Sequence, residues 1–209
     1  MFVYVSLLTR SSQVLFDAGP RVRRLRADST SDAFNTLLRQ LAGVVLATEE
    51  EAKVLLSESG DTNSENDSSG LDAIEHAKHT SMRLLDVCDK ASFAVVKLGR
   101  DGIVIACRES RERPLHFDGF DVEVGDTVGC GDSLAAAFAL GIVQGAPIPT
   151  VAALSNATGA ATASRQGAGR NVATTATVRS ILTDGLTADS RLGCAEALAL
   201  LDTLRRNPQ

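Results

Sequence analysis

The chain has 209 residues, 44% of them hydrophobic, and a formal net charge of -5 at pH 7. This acidic balance argues against nonspecific nucleic-acid binding, which requires a basic surface. No apolar run approaches the roughly 20 residues of a membrane-spanning helix, and the apolar start at 1–8 lacks the basic flank of a signal peptide. The four cysteines show neither paired nor metal-ligand spacing. We therefore expect free thiols and a cytoplasmic protein, with an organellar location left open.

Strand-like and helical patterns alternate in the first part of the chain. Short apolar runs predict strands at 14–16 and 43–46, and each is followed by a helical stripe, at 31–41 and 49–56. The segment that follows, 57–70 (SESGDTNSENDSSG), is polar and has no apolar anchor. It predicts a flexible surface loop.

The remaining sequence predicts a helix at 71–86 and strands at 93–96, 103–106 and 120–124. A long alanine-rich helix is predicted from residue 132 onward. The strands around Gly99–Gly102 are expected to form a hairpin that turns at Asp-Gly. Two or three further helices complete the chain. Strands and helices alternate early in the chain, and a hairpin follows later. This order predicts a single α/β domain over 1–209, with a mostly parallel sheet, an antiparallel edge and helices on both faces.

The most informative segment is Gly125–Ser133 (GDTVGCGDS). Two glycines separated by one small residue let the backbone turn with its N–H groups pointing inward. The helix that follows adds unpaired N–H groups and the positive end of its dipole. Together they predict an anion site suited to a phosphoryl group, with Asp132 at its mouth as a general base. The plainer alternative is that Asp132 only caps the helix, as aspartate often does.

The string Asp126–Asp132 (DTVGCGD) resembles the second signature of the PfkB/ribokinase carbohydrate kinases, Asp-Thr-x-Gly-Ala-Gly-Asp, with Cys130 in the alanine slot. Thr48–Ala52 (TEEEA) is similar to the family segment Asn-x-x-Glu-Ala, with Thr48 in place of Asn. Phe16–Arg21 and the stretch 167–171 are similar to a strand-end Asp-x-x-x-Arg and to a closing Gly-Ala loop. The combination looks closest to plant-type PfkB proteins of unassigned substrate.

The resemblance implies a ribokinase-like three-layer αβα sandwich and ATP-dependent transfer of a phosphoryl group to a hydroxyl of a sugar or nucleoside. It implies ATP and Mg²⁺ as cofactors, with K⁺ as a further candidate. Asp132 would be the general base, and the main-chain N–H groups of Gly129, Cys130 and Gly131 would form the anion hole. The other implied site residues are Lys97, Gly99, Gly102, Asn156 and Gly167 for the nucleotide, Glu51 for Mg²⁺ through water, and Asp126 for a monovalent cation.

In relatives, further N-terminal strands, a Gly-Gly sugar-site motif and a small β-sheet lid precede the segment that this chain matches. The resemblance therefore leaves two alternatives to an active kinase: a non-catalytic nucleotide-binding pseudokinase or scaffold, and a phosphate-binding regulator that has lost ATP. The acceptor stays open among ribose, fructose and nucleosides. A homodimer is expected as a candidate assembly, because missing strands would expose an apolar sheet edge.

Three other features have a functional and a plainer interpretation, and the plainer one is favoured for each. Cys130 at a helix N-terminus could be an acidified, redox-active thiol or simply a small residue in the alanine slot. His76 and His79 share a helical face and could bind a metal or lie on a solvated surface. Four arginines between 21 and 26 could bind an anion or form a solvated loop.

Overall fold

The computed structural model of the protein describes residues 3–4, 14–19, 22, 36–57, 72–110, 113–167, 172–189 and 191–206. The arginine cluster, nearly all of the predicted loop at 57–70 and residues 31–35 of the predicted helix at 31–41 lie outside these residues. Within the described part of that helix, Leu37–Leu41 forms a π-helical turn.

The chain divides into two compact units, and each is described by itself. Unit 1 comprises Met1–Leu98 and Val104–His116, and unit 2 comprises Gly99–Ile103 and Phe117–Gln209. One domain over 1–209 stays a prediction.

A six-stranded sheet, most of which belongs to unit 1, runs through the described residues in the order β1 to β6. Its strands are β1 (Val3–Tyr4), β2 (Val14–Asp17), β3 (Ala42–Thr48), β4 (Phe93–Lys97), β5 (Ile103–Cys107) and β6 (Leu115–Phe117). β1 pairs antiparallel with β2, whereas β2, β3 and β4 pair in parallel. Five residues join β4 to β5, too few for a parallel crossover, so these strands form a hairpin. The predicted parallel sheet with an antiparallel edge is confirmed.

Two helices of unit 1 pack on this sheet, α1 (Glu49–Leu56) and α2 (Ala73–Val87). β3 reads as a continuous apolar run, and six of its seven residues are buried. A strand covered on both faces requires such a run. The core of unit 1 joins side chains of the sheet, such as Phe16 and Val45, to Leu55 and Leu84 of the two helices. Burial of these apolar side chains is the main stabilising contribution to the unit.

Arg108, which follows β5, satisfies main-chain carbonyl groups at the C-terminal end of α2. Its Nε donates to the carbonyl oxygen of Ala91 at 2.7 Å, and its Nη2 donates to those of Cys88, at 2.8 Å, and Leu85. The last carbonyls of a helix have no intrahelical donor. The guanidinium therefore replaces water at this helix end.

We expect Arg108→Met to lower the free energy of unfolding by about 2–3 kcal/mol, because several carbonyl groups lose a charged donor at once. Arg179→Met is the matched control. Arg179 pairs at 2.6 Å with Asp202, which is half exposed, and such surface pairs contribute about 0–1 kcal/mol. Urea denaturation measures both losses. Equal small losses in the two variants would contradict the capping role.

The described residues of unit 2 form four long helices: α3 (Cys130–Val143), α4 (Ile148–Ala163), α5 (Thr175–Asp189) and α6 (Cys194–Arg206). α4 lies at the centre, where it packs against the other three. Small residues permit close approach, and a Cβ on Gly141 of α3 would lie 2.9 Å from Cγ2 of Val151 in α4. Among the described residues, no helix has the length and apolar character needed to span a bilayer.

The predicted strand at 120–124 is wrong, since β6 ends at Phe117 and the following residues pair with no strand. The alternating pattern is misleading because Val124 is 61% exposed. Side chains hold this segment in place of ladder hydrogen bonds. Arg191 donates to the carbonyl oxygen of Gly119, and its guanidinium carbon lies 4.8 Å from the centre of the Phe120 ring.

The other predicted elements are largely confirmed, and the helix at 49–56 has the predicted bounds. The prediction of free thiols is also confirmed, because Cys88, Cys107, Cys130 and Cys194 are all unbridged. Burial raises the pKa of the Cys88 thiol to about 11. A thiol with such a pKa stays protonated and unreactive at neutral pH.

Candidate active site

The glycine loop, Gly125–Gly129, is anchored to the end of α4. The N–H groups of Gly125 and Asp126 both donate to the carbonyl oxygen of Ala163, at 2.8 and 3.2 Å. The carboxylate of Asp126 then organises the turn. Its Oδ1 accepts the N–H of Val128 at 3.0 Å, and its Oδ2 accepts the N–H of Gly167 at 3.2 Å. One aspartate therefore connects the loop to the start of the predicted closing segment.

Gly129 turns the chain directly into α3. It is the N-cap residue and adopts a left-handed conformation, with φ 86 and ψ -1, which glycine reaches without the steric cost that a Cβ imposes. As a result α3 begins at Cys130, and the predicted start at Asp132 is two residues late. Cys130, Gly131 and Asp132 form the first helical turn, where main-chain N–H groups have no intrahelical acceptor.

The three predicted anion-hole amides differ in their availability. The N–H of Cys130 donates to the carbonyl oxygen of Thr127 at 3.2 Å, which closes the loop. Within the described part of the chain, no hydrogen bond uses the N–H of Gly129 or Gly131. These two donors lie at the positive end of the α3 dipole and are suited to an anion.

Asp132 is the third residue of α3, and its side chain is exposed. The N-cap position belongs to Gly129, so the alternative in which Asp132 caps the helix is wrong. The carboxylate accepts no hydrogen bond from any described residue. It is therefore accessible to solvent at the start of α3, close in sequence to the N–H groups of Gly129 and Gly131.

Cys130 does not behave as an acidified thiol. Burial raises the pKa of this thiol, and the nearby Asp126 carboxylate raises it further. Its Sγ lies 3.8 Å from the carbonyl oxygen of Asp126, as a weak donor. These effects oppose the acidification that a helix N-terminus gives. The structure thus favours the plainer interpretation, a small residue in the alanine slot.

Asn156, predicted beside adenine, is buried within α4 at 5% exposure. Its Nδ2 donates to the carbonyl oxygens of Phe117 and Asp118, each at 3.0 Å. Both amide hydrogens are therefore used to hold the chain after β6. A contact of Asn156 with adenine stays a prediction.

Gly99 and Gly102 form the turn between β4 and β5, where the N–H of Gly102 donates to the carbonyl oxygen of Gly99 at 3.2 Å. Gly102 has φ +90, and a Cβ there would lie 2.1 Å from the carbonyl oxygen of Phe117. Gly99 has φ +63 with nothing within 4 Å of a Cβ. Packing therefore explains glycine at 102, whereas the nucleotide contacts of both residues stay predictions.

Unit 1 contains a second group of charged residues, the carboxylate cluster of Asp17, Glu51 and Lys97. Glu51 and Lys97 are predicted site residues, for Mg²⁺ and the nucleotide, whereas no site role is predicted for Asp17. The ammonium of Lys97 lies 2.6 Å from Oδ1 of Asp17 and 3.9 Å from Oε2 of Glu51. Thr48 and Glu51 form a capping box, in which Glu51 Oε2 accepts the N–H of Thr48 at 2.8 Å and Thr48 Oγ1 accepts the N–H of Glu51 at 3.3 Å. The threonine oxygen in the family's asparagine position is thus used to start α1.

The donor set of this cluster fits Mg²⁺. Mg²⁺ prefers carboxylate oxygens, keeps several waters and needs only one or two protein carboxylates when phosphates complete its shell. No group of three or more metal-binding side chains occurs among the residues that the structure describes. His76 instead pairs through Nδ1 with Oε1 of Glu49 at 3.1 Å, which favours the plain interpretation of the two histidines.

The contact between Asp17 and Lys97 was missed by the sequence analysis, although both residues were noted separately. The signal that could have identified it is positional. Asp17 and Lys97 are the last residues of β2 and β4, and carboxyl ends of parallel strands meet at one edge of a sheet, where ligands bind in open α/β folds.

Comparison with known proteins identifies one family and one fold. The family described as "pfkB family carbohydrate kinase" matches residues 5–175, whereas no curated protein matches the chain. Ribokinase from Thermotoga maritima is 23% identical with a TM-score of 0.59, and the match covers 86% of this chain and 52% of that protein. A putative ribokinase II from E. coli, solved with ATP and Mg²⁺, is 19% identical with a TM-score of 0.62. That match covers 82% of this chain and 49% of the E. coli protein.

Arabidopsis thaliana ribokinase, solved with ribose and ATP, is 20% identical with a TM-score of 0.59, and the match covers 81% of this chain and 47% of that protein. The predicted ribokinase-like fold is confirmed by these likenesses. The chain spans about half the length of these solved relatives.

Proposed function

Because the chain belongs to the pfkB family of carbohydrate kinases, we propose that it takes part in ATP-dependent phosphoryl transfer to a hydroxyl of a sugar or nucleoside. One observation carries the proposal. The string Asp126–Asp132 folds into the end of the glycine loop and the first turn of α3. There the N–H groups of Gly129 and Gly131, which donate to no described residue, lie with the exposed Asp132 carboxylate. Solved relatives with ATP and Mg²⁺, and with ribose and ATP, support the substrate class.

Asp132 is the proposed general base. Its carboxylate accepts the proton of the acceptor hydroxyl as that oxygen forms a bond to the γ-phosphorus of ATP. The bond from this phosphorus to the bridging oxygen breaks, and ADP leaves with the electron pair. Asp132 suits the role because it is exposed and accepts no hydrogen bond from a described residue, so a hydroxyl can approach it.

The N–H groups of Gly129 and Gly131 are the proposed anion hole. Charge in a phosphoryl transfer is spread over the equatorial oxygens, and preorganised main-chain donors stabilise it without reorganisation. The N–H of Cys130 is not included, because it donates to the carbonyl oxygen of Thr127 and closes the loop. This refines the three-amide hole implied by the sequence.

Glu51 of the carboxylate cluster is the proposed Mg²⁺ residue, through water. When bound, Mg²⁺ supplies charge neutralisation at the nucleotide phosphates. The capping box orients the Glu51 carboxylate before any cation arrives. Asp126 is the proposed K⁺ residue, and its two oxygens already accept the N–H groups of Val128 and Gly167.

A second candidate, a nucleotide-binding pseudokinase, is favoured by one observation at the start of α1. Thr48 occupies the family's asparagine position, and its Oγ1 accepts the N–H of Glu51 in the capping box. The glycine loop and the carboxylate cluster are both present in the chain, so nucleotide binding is expected of this candidate as well.

The experiment that separates the two candidates combines calorimetry with an ADP-release assay on the 209-residue chain. We expect MgATP binding, and turnover of about 1–100 s⁻¹ with at least one of ribose, fructose or adenosine. MgATP binding without transfer to any acceptor selects the pseudokinase. Absence of ATP binding overturns both candidates, and retained inorganic phosphate binding would then identify a phosphate-binding regulator.

A further inference from the structure

Lys97 lies within a buried group of three charges. The side chains of Lys97 and Asp17 are 10% and 7% exposed, and their charged atoms are 2.6 Å apart. Glu51, 11% exposed, lies at 3.9 Å from the same ammonium. Charge pairs so poorly solvated require near-complete pairing to be tolerated, so the ammonium is committed to these carboxylates.

The sheet register explains why a lysine occupies this position. Asp17 lies on β2 opposite Leu46 of β3, and Lys97 lies on β4 opposite Thr48 of β3. β2 and β4 are therefore separated by one strand, about 10 Å apart. A long side chain is needed to carry a positive charge from β4 past the end of β3 to Asp17.

The two carboxylates share one ammonium group, and Glu51 also accepts a main-chain N–H. Glu51 Oε2 accepts the N–H of Thr48 at 2.8 Å while it faces the Lys97 ammonium. Asp17 contacts the same ammonium from the far side of β3. One lysine thus contacts both carboxylates and sets their separation.

We propose that Lys97 is a positioning residue that holds Asp17 and Glu51 in place for the Mg²⁺ of the bound nucleotide and does not contact the nucleotide itself. The inference rests on the proposed function. It assigns to Asp17 a part in the cation site, and it replaces the direct nucleotide contact implied for Lys97. Residues that orient a metal-binding group alter metal affinity although they do not contact the metal themselves.

The test is calorimetry of ATP binding to the full chain, in EDTA and in excess Mg²⁺. We expect Lys97→Met to leave ATP affinity in EDTA unchanged and to reduce the gain in affinity on adding Mg²⁺ by about tenfold or more. Lys78→Met is the matched control, since Lys78 pairs at 2.6 Å with the half-exposed Glu75 on α2. It should leave both affinities unchanged.

Should Lys97→Met fail to fold, the same titrations use Asp17→Asn/Lys97→Met, which also removes the carboxylate that the lysine neutralises. The expected result is again loss of the Mg²⁺-dependent gain alone. A fall in ATP affinity in EDTA as large as that in Mg²⁺ overturns the inference, because it shows direct contact with the nucleotide. An unchanged Mg²⁺-dependent gain also overturns it. Absence of ATP binding by the unmodified chain overturns the proposed function, and the inference with it.

Discussion

Asp132→Asn is expected to lower kcat for phosphoryl transfer by about 10²–10⁴-fold, the usual contribution of a positioned general base. The amide has nearly the shape of the carboxylate but cannot accept the proton of the acceptor hydroxyl. Asp132 is exposed in the first turn of α3 and accepts no hydrogen bond from a described residue, so the change disturbs little else. The measurement is the initial rate of ADP formation at saturating ATP and acceptor.

Asp184→Asn is the control for this prediction. Asp184 is an exposed aspartate on α5 of the same unit, so the change removes one carboxylate elsewhere on the surface and should leave kcat unchanged. Calorimetry should give Asp132→Asn the ATP affinity of the unmodified chain, because the anion-hole donors belong to the main chain. Unchanged turnover of the Asp132 variant would refute the general-base role.

Gly102→Ala is expected to destabilise the protein by about 3 kcal/mol or more. A Cβ at this position would lie 2.1 Å from the carbonyl oxygen of Phe117 and 2.5 Å from the N of Gly119. Those atoms belong to the main chain and cannot move aside without shifting the segment after β6. Overpacking of this kind costs about 1–3 kcal/mol, and a positive φ adds about 1–2 kcal/mol for a residue with a Cβ.

Gly99→Ala supplies the matched comparison, three residues away in the same turn. Gly99 also has a positive φ, of +63, but nothing lies within 4 Å of its added Cβ. Only the cost of the positive φ applies, so a loss of about 1–2 kcal/mol is expected. Thermal and urea denaturation of both variants measure the difference. Equal losses would show that the close approach of residues 117–119 does not determine the stability of this turn.

The elements that the sequence predicted best are those with a strong local pattern. The helix at 49–56 begins at Thr48-x-x-Glu51, a capping-box spacing, and β3 is a continuous apolar run between turn residues. The prediction of a strand at 120–124 was wrong for the opposite reason. Its alternation is real, but the residues just before it, 117–119, are held by hydrogen bonds from Arg191 and Asn156 to their main-chain carbonyl groups.

The candidate site divides in the same way. The spacing of Gly129, Gly131 and Asp132 predicts an anion site at a helix start. The structure moves that start to Cys130 and shows the Cys130 N–H donating to the carbonyl oxygen of Thr127. The helix begins earlier because Gly129 adopts a left-handed conformation. Residue type permits that conformation, but the packing of the loop against Ala163 determines whether it is adopted.

The sequence by itself determined the strand–helix order, the glycine loop and the identity of the residue proposed as the base, because each depends on neighbours within a few positions. Only the tertiary structure decided that Lys97 meets Asp17, eighty positions away, and that Gly102 must lack a side chain because residues 117–119 pass beside it. Such contacts depend on strand register and on the approach of separate segments. Local periodicity contains no information on either.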